Sequence, residues 1–182
     1  MYIKCSPSHL FARLKLGASV TTIPTIGFNL ETVRHKKGVD FTFWDPGGGD
    51  KIRPLLKQFY PNTDVVVYVV DSTDRERFPE VRQELREMME ARELALAHLL
   101  LLANKSDLDQ ALSPEELWDE LNLTDLAPDE HSEGLNMGFL RATVLPISAS
   151  SGQGCLETLD WLANVIHQTC KLPHLSQIKM DR

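Results

Sequence analysis

The stretch "DVVVYVVD", residues 64–71, gives the first indication of the fold class of this chain. It is a short, continuous apolar run, rich in β-branched residues and closed by aspartates, which is typical of a strand buried on both faces. Two segments of the same character follow it, "LALAHLLLLANKSD" at 94–107 and "ATVLPISAS" at 142–150. Strands of this kind belong to mostly parallel sheets that are covered by helices, so the three runs predict such a sheet.

Helical patterns occupy the segments between the buried runs. Residues 112–121 begin with a capping box, in which Ser113 is the N-cap, Pro114 takes the first helical position and Glu116 follows three residues after the cap. In residues 77–94 and 155–170 apolar side chains recur at helical spacing, and we interpret both stripes as core: Phe78, Val81, Leu85 and Met88 or Met89 in the first, and Leu156, Leu159, Ala163 and Ile166 in the second. Residues 30–45 read as a hairpin around a Lys-Lys-Gly turn.

Alternation of buried strands with amphipathic helices predicts an α/β fold with three layers, in which ligands bind outside the carboxyl ends of the strands. The 182 residues, of which 42% are hydrophobic and 25% charged, suit one domain. The net charge of −7 argues against a nucleic-acid-binding protein, which needs clustered Lys and Arg. The three cysteines form no CxxC pair, so we expect neither structural zinc nor a disulfide framework, and a reducing, cytoplasmic compartment fits.

The residues after two of the buried runs suggest recognition of guanine. "NKSD", Asn104 to Asp107, closes the second of the three runs, and "SAS", Ser148 to Ser150, closes the third. The Asp107 carboxylate can accept both the ring N–H and the exocyclic amine of guanine, a donor pair that adenine lacks. In this interpretation Asn104 bonds the base and ties neighbouring loops together, the alkyl stem of Lys105 covers one face of the base, and the Ala149 amide reaches the guanine oxygen. Alone, "NKSD" would be an ordinary polar turn, but its place at a strand end favours the guanine interpretation.

Five segments together resemble the small GTPases of the Arf and Arf-like family over residues 10–170: "TTIPTIGFNLETV" at 21–33, "WDPGGGDKIRPLL" at 44–56, "DSTDRER" at 71–77, "LLANKSDL" at 101–108 and "SGQGCLETLDWL" at 151–162. The resemblance implies a P-loop NTPase-like α/β/α sandwich that binds GTP or GDP with Mg²⁺. It implies that Thr25 ligates the magnesium ion, that Asp45 holds it through water, and that the Gly48 amide meets the γ-phosphate. The resemblance also implies that Ser148 joins Ala149 in the base-binding loop and that effectors or regulators contact residues 21–56.

The chain departs from the family pattern at the groups that handle phosphate. Gly49 stands where the family has the glutamine that orients the attacking water, so no catalytic residue is assigned. A P-loop needs GxxxxGK[ST], and this sequence contains no Gly-Lys pair. An atypical segment, "MYIKCSPSH" at residues 1–9, occupies the place of the P-loop, and Tyr2 stands where N-myristoylation needs glycine. Either Tyr2 to Lys4 form a stub of the preceding strand, or the sheet has a gap there.

These observations predict an Arf-like guanine-nucleotide-binding regulator of membrane traffic, impaired in nucleotide binding and hydrolysis. Two alternatives stay open: a pseudo-GTPase that presents switch-like surfaces to partner proteins, and a truncated alternative form of a complete Arf-like GTPase. We divide the chain into the segment 1–9, a GTPase-like domain at 10–170 and a tail at 171–182. We expect a cytoplasmic monomer without a myristoyl anchor, with peripheral association with Golgi or other endomembranes by family resemblance.

Overall fold

The computed structural model describes residues 2–4, 28–35, 38–46, 57–125 and 139–170. Six strands form one sheet in the order β2-β3-β1-β4-β5-β6. All neighbouring strands are parallel except β2 and β3, which form an antiparallel pair. The strands are β1 (Tyr2–Lys4), β2 (Phe28–Arg34), β3 (Asp40–Pro46), β4 (Val65–Asp71), β5 (His98–Asn104) and β6 (Ala142–Pro146). The helices are α1 (Phe78–Met89), α2 (Pro114–Glu120) and α3 (Cys155–Cys170).

The strands β4 and β5 form the centre of the core, because the run Val65 to Val70 and the run Leu99 to Ala103 are buried along their whole length. Alternate residues of each strand point to opposite faces, so these two strands contribute to two separate clusters. Val66, Tyr68 and Val70 pack with α1 and α2 on one face, and Val65, Val67 and Val69 pack with α3 on the other. The predicted three-layer α/β architecture is confirmed.

The first strand decides between the two possibilities that the amino-terminal sequence left open. Tyr2–Lys4 lies between β3 and β4 and is parallel to both, with Tyr2 opposite Trp44 on one side and Val66 on the other. The sheet therefore has no gap at this position. It has a strand of three residues, where the neighbouring β3 and β4 each have seven.

The hairpin predicted from residues 30–45 is present as β2 and β3. Gly38 has a positive φ of 76°, which suits a tight turn and which L side chains rarely adopt. The hairpin is tied to the helix on its buried face, because His35 is 6% exposed and its Nε2 lies 3.1 Å from Asp160 Oδ1 on α3.

Two predictions about helices are wrong in part. The helix expected over 77–94 ends at Met89, and a 3₁₀ turn, Arg92–Leu94, follows it. Of the two methionines predicted as alternatives for the core, Met88 is the buried one. Leu156, expected in the core, is 71% exposed. The buried face of α3 begins at Cys155 and continues through Leu159, Leu162 and Ala163, which leaves Leu156 outside the stripe.

Several sequence-based predictions concern residues outside the described ranges. Thr25, Gly48, Gly49, the tail at 171–182 and residues 5–9 of the atypical segment are among them. Among the described residues, no helix has both the length and the apolar character needed to span a bilayer.

Candidate functional site

The candidate site lies where β4, β5 and β6 end side by side. Asp71 and Asn104 are the last residues of β4 and β5 and are register partners, while Pro146, the last residue of β6, pairs with Ala103. Because the three strands are parallel, the loops that follow them leave the sheet at one edge. This edge collects the "DST", "NKSD" and "SAS" segments, which are far apart in sequence.

Asn104 connects all three loops. Its side-chain oxygen Oδ1 accepts a hydrogen bond from the Ala149 amide at 3.0 Å. Its backbone carbonyl accepts from both the amide and the hydroxyl of Ser72, at 3.0 and 2.7 Å. Ser72 is fully buried and Ala149 is 7% exposed, so these bonds satisfy polar groups that water does not reach.

Lys105 leaves the end of β5 in a left-handed backbone conformation, with a φ of 64°. Its Nζ atom lies 2.5 Å from Asp71 Oδ2. The hydrogen bond to Asp71 raises the pKa of Lys105 above its usual value. Burial raises the pKa of Asp71, but hydrogen bonds from Lys105 and Thr73 outweigh burial and hold that pKa below its usual value. Both groups are therefore charged at neutral pH.

Asp107 is exposed, in a turn whose backbone is fixed on both sides. The Ser106 amide donates to the Ile147 carbonyl at 3.1 Å, and the Leu108 amide donates to the Lys105 carbonyl at 3.0 Å. Within the described ranges, no hydrogen bond or ion pair involves the Asp107 carboxylate. The Asp107 carboxylate thus lies on a loop that backbone hydrogen bonds hold in place, and its acceptor oxygens are accessible to a ligand.

The loop after β6 is held by its own serines. The Ser148 hydroxyl is fully buried, accepts from the Ser151 amide at 3.1 Å and lies 2.9 Å from the Ser150 hydroxyl. Gly154 has a φ of +76°, and a Cβ atom there would lie 2.2 Å from the Pro146 carbonyl oxygen. The close approach of Gly154 to the end of β6 leaves this loop little freedom.

The structure places the five residues that the sequence singled out for the base on neighbouring loops. Asn104, Lys105, Ser148 and Ala149 lie on joined loops, and Asp107 follows in the same turn as Lys105. The Ala149 amide, given by sequence reasoning to the guanine oxygen, donates to Asn104 here, so a base acceptor must share or replace that bond.

Of the residues predicted to bind the phosphates and magnesium, the described ranges include Asp45. Asp45 lies next to the end of β3, opposite Asn29, and in the sheet order β1 and β4 separate its strand from β5. Thr25 and Gly48 lie outside the described ranges. In the part of the chain that the structure describes, no three His, Cys, Asp or Glu residues are grouped as a metal site.

Sequence reasoning missed Asp71 and Ser72 as parts of this edge. Both belong to "DSTDRER", a segment whose sequence signal is its family resemblance. The signal that would have found them is positional, because Asp71 closes a buried parallel strand in the same way that Asn104 does.

Comparison with known proteins agrees with this architecture. The model of the "ADP-ribosylation factor family" matches residues 6–166. A solved structure of the Arl6 (BBS3) small GTPase from Trypanosoma brucei, with the bound nucleotide analogue GppNp, is similar with a TM-score of 0.76 and 28% sequence identity. The similarity covers 92% of this chain and 96% of that one, which shows the small GTPase fold.

Proposed function

This chain belongs to the ADP-ribosylation factor family of small GTPases, and from that premise we propose that it is a guanine-nucleotide-binding regulator with weak affinity and little or no GTP hydrolysis. The observation that carries the proposal is the joined edge at the ends of β4, β5 and β6, where Asn104 holds two loops in place and Asp107 offers an unpaired carboxylate. Small GTPases of this family bind GTP or GDP with Mg²⁺ and act through effector proteins.

The chemistry of this edge suits guanine better than adenine. Asp107 supplies two acceptor oxygens for the ring N–H and the exocyclic amine of guanine, while adenine presents no such pair of donors. The Asn104 amide nitrogen is available to an acceptor on the base, because the Asn104 oxygen already takes the Ala149 amide. The hydrogen bonds within the edge hold these groups in position before a base arrives, which lowers the cost of ordering them on binding.

We expect weak nucleotide binding because the sequence has few groups that could bind the phosphates. With no Gly-Lys pair in the chain, the backbone cradle and the lysine of a P-loop are both absent from its sequence. In the proposal the phosphates depend on Thr25, the Gly48 region, Asp45 and magnesium. We expect a dissociation constant weaker than about 1 μM, equivalent to a binding free energy smaller than about 8 kcal/mol.

A second candidate is a pseudo-GTPase, a binding module that presents its surface to partners without a hydrolytic cycle. Gly49 in place of the water-orienting glutamine favours it. The outer face of the hairpin also suits a protein partner, since Leu30 is 50% exposed beside its register partner Trp44, whose ring lies 5.3 Å from that of Phe59. Under either candidate we propose a role in membrane traffic, from the cytoplasm and with peripheral association with endomembranes.

Calorimetric titration of the purified chain with GDP and with ADP, in the presence of Mg²⁺, tests the proposal. We expect GDP to bind in preference to ADP, and Asp107→Ala to abolish that preference. Asp109→Ala, an exposed aspartate two residues further along the same loop, is the matched control and should keep it. Equal binding of the two nucleotides by the unaltered chain would remove the guanine assignment.

A further inference from the structure

We propose that Asp71 is a positioning residue of the nucleotide site, which holds the side chain of Lys105 along the edge of the sheet so that its methylene stem forms a fixed platform for the base. This inference rests on the proposed guanine site and adds to it a residue from the neighbouring strand. The lysine is the part of the site that touches the base; Asp71 acts through it.

The first observation is the path of the Lys105 side chain. Lys105 begins one residue beyond the register pair of Asp71 and Asn104, so its Cα lies beside the end of β5. Its Nζ reaches Asp71 Oδ2, at 2.5 Å, on the end of β4. Adjacent strands lie about 4.8 Å apart, so a lysine at the end of β5 that reaches a carboxylate at the end of β4 runs from one strand end toward the other. The stem therefore follows the edge of the sheet.

The second observation is that the Asp71 carboxylate is itself fixed. Its Oδ1 accepts from the Thr73 amide at 3.1 Å and from the Thr73 hydroxyl at 2.7 Å, while Oδ2 takes the Lys105 ammonium. The Asp71 carboxylate is therefore bound to its own loop through Oδ1 and to the Lys105 ammonium through Oδ2.

The third observation concerns exposure. The Lys105 side chain is 51% exposed although its charged end is paired, so the protein leaves about half of this side chain uncovered at the edge. Lysine stems usually cover apolar surface while the ammonium stays in water. A stem held along the edge with one side uncovered is suited to contact with a flat ring, and Asp107 follows two residues later to bond the edge of that ring.

An ion pair at this position also has a purely structural interpretation, in which it only joins the ends of β4 and β5. The two interpretations differ in what a neutral side chain does to nucleotide binding. A lysine carries considerable rotamer entropy, and a held lysine loses less of it when the base binds. If Asp71 positions Lys105, a variant that frees the lysine stem binds GDP more weakly even when it folds normally. If the ion pair only joins the strand ends, GDP binding weakens only in variants that are also less stable.

The test measures the GDP dissociation constants of purified full-length variants by calorimetry. Asp71→Asn keeps an oxygen for Thr73 and removes the charge that holds Lys105. Lys105→Met keeps an apolar stem and removes the ammonium. Each should weaken GDP binding by about threefold to tenfold, and the double variant should be no weaker than either single one, because both remove the same contact. Lys105→Ala removes the stem and should bind more weakly than Lys105→Met. Glu76→Gln, an exposed carboxylate on the loop after β4, is the control and should bind as the unaltered chain does.

Thermal unfolding of each variant separates positioning from folding. If Asp71→Asn fails to fold, Lys105→Met and Lys105→Ala still test the proposal. Both should weaken GDP binding, and Lys105→Ala should weaken it more than Lys105→Met. A GDP-selective chain whose affinity is unchanged in Asp71→Asn or Lys105→Met overturns this inference and leaves the proposed function in place. A chain without any preference for guanine nucleotides overturns the proposed function, and this inference with it.

Discussion

The backbone amide of Ala149 donates to Asn104 Oδ1 across 3.0 Å, which joins the loop after β6 to the end of β5. The same asparagine accepts two hydrogen bonds from Ser72 at its carbonyl, which joins the end of β4 as well. One residue therefore organises the edge of the sheet at which we place the base.

Removing this connection should affect both stability and binding. Asn104→Ala leaves the buried Ala149 amide without its acceptor, which costs about 1–3 kcal/mol. We expect the free energy of unfolding in urea to fall by that amount and GDP binding to be lost. Gln110→Ala, at an exposed position of the same loop, should change neither. An Asn104→Ala variant as stable as the unaltered chain would show that the connection is not needed.

The close approach of Gly154 to the end of β6 gives a second prediction with a matched control. Gly154 and Gly38 share a φ of +76°, but an added Cβ would lie 2.2 Å from the Pro146 carbonyl at Gly154 and would meet nothing within 4 Å at Gly38. Both alanine variants bear the cost of a left-handed conformation, about 1 kcal/mol. Gly154→Ala should cost at least about 2 kcal/mol more, because the backbone must shift. Equal losses in urea unfolding would contradict this account.

A third prediction concerns alkaline pH. Tyr60 is 5% exposed, and burial, followed by the nearby charges of Glu84, Glu87 and Glu93, raises its pKa to about 12. The folded state thus holds the phenolic proton more tightly than the unfolded state, whose tyrosine has its ordinary pKa of about 10. The contribution of this pKa difference to the free energy of unfolding is fully present below about pH 10 and is lost as the pH rises from about 10 to 12. Tyr60→Phe should flatten the decline over that range in urea unfolding; an unchanged slope would mean that other groups cause it.

A fourth prediction separates an enzyme from a binding module. Phosphoryl transfer depends on positioning and on neutralising charge at the γ-phosphate, and this sequence lacks both the water-orienting glutamine and the P-loop. Single-turnover assays should detect no GTP hydrolysis by the unaltered chain, and none by Gly49→Gln. Replacing residues 1–9 with a P-loop and its preceding strand should restore tight binding with slow hydrolysis. Only both changes together should give hydrolysis that an activator stimulates.

Clear magnesium-dependent hydrolysis by the unaltered chain would contradict that prediction. It would exclude the pseudo-GTPase candidate and place the protein among the active GTPases.

The sequence predicted best those features whose cause is local. The capping box of α2 is an example: the Glu116 amide donates to Ser113 Oγ at 3.2 Å, and the Ser113 amide donates to Glu116 Oε2 at 2.8 Å. Both partners lie within one helical turn, so their spacing alone specifies the contact. The buried strands were predictable for a similar reason, because a continuous apolar run is by itself typical of a strand buried on both faces.

Features that depend on the packing of distant segments were predicted less well. Leu159 and Ala163 of the predicted stripe are buried, but the exposure of Leu156 depends on where α3 first meets the sheet, and Cys155 takes that first buried position. The ion pair of Asp71 with Lys105 joins residues whose proximity comes from the register of β4 on β5, which no local pattern encodes. The partner of the Ala149 amide was missed for the same reason.

The proposed guanine site depends on the Asp107 carboxylate, which accepts two hydrogen bonds from the base, and a change of this one side chain that reverses the nucleotide preference tests that role. Xanthine carries an oxygen where guanine carries the exocyclic amine, so an amide side chain at position 107 can donate to xanthine but not accept both guanine donors. Titrations of the unaltered chain and of Asp107→Asn with GDP and xanthosine diphosphate give the measurement. We predict that the unaltered chain prefers GDP, and that Asp107→Asn prefers xanthosine diphosphate by about tenfold or more, since each unmet hydrogen-bonding group costs about 1–3 kcal/mol. The same order of preference in both proteins would contradict the account.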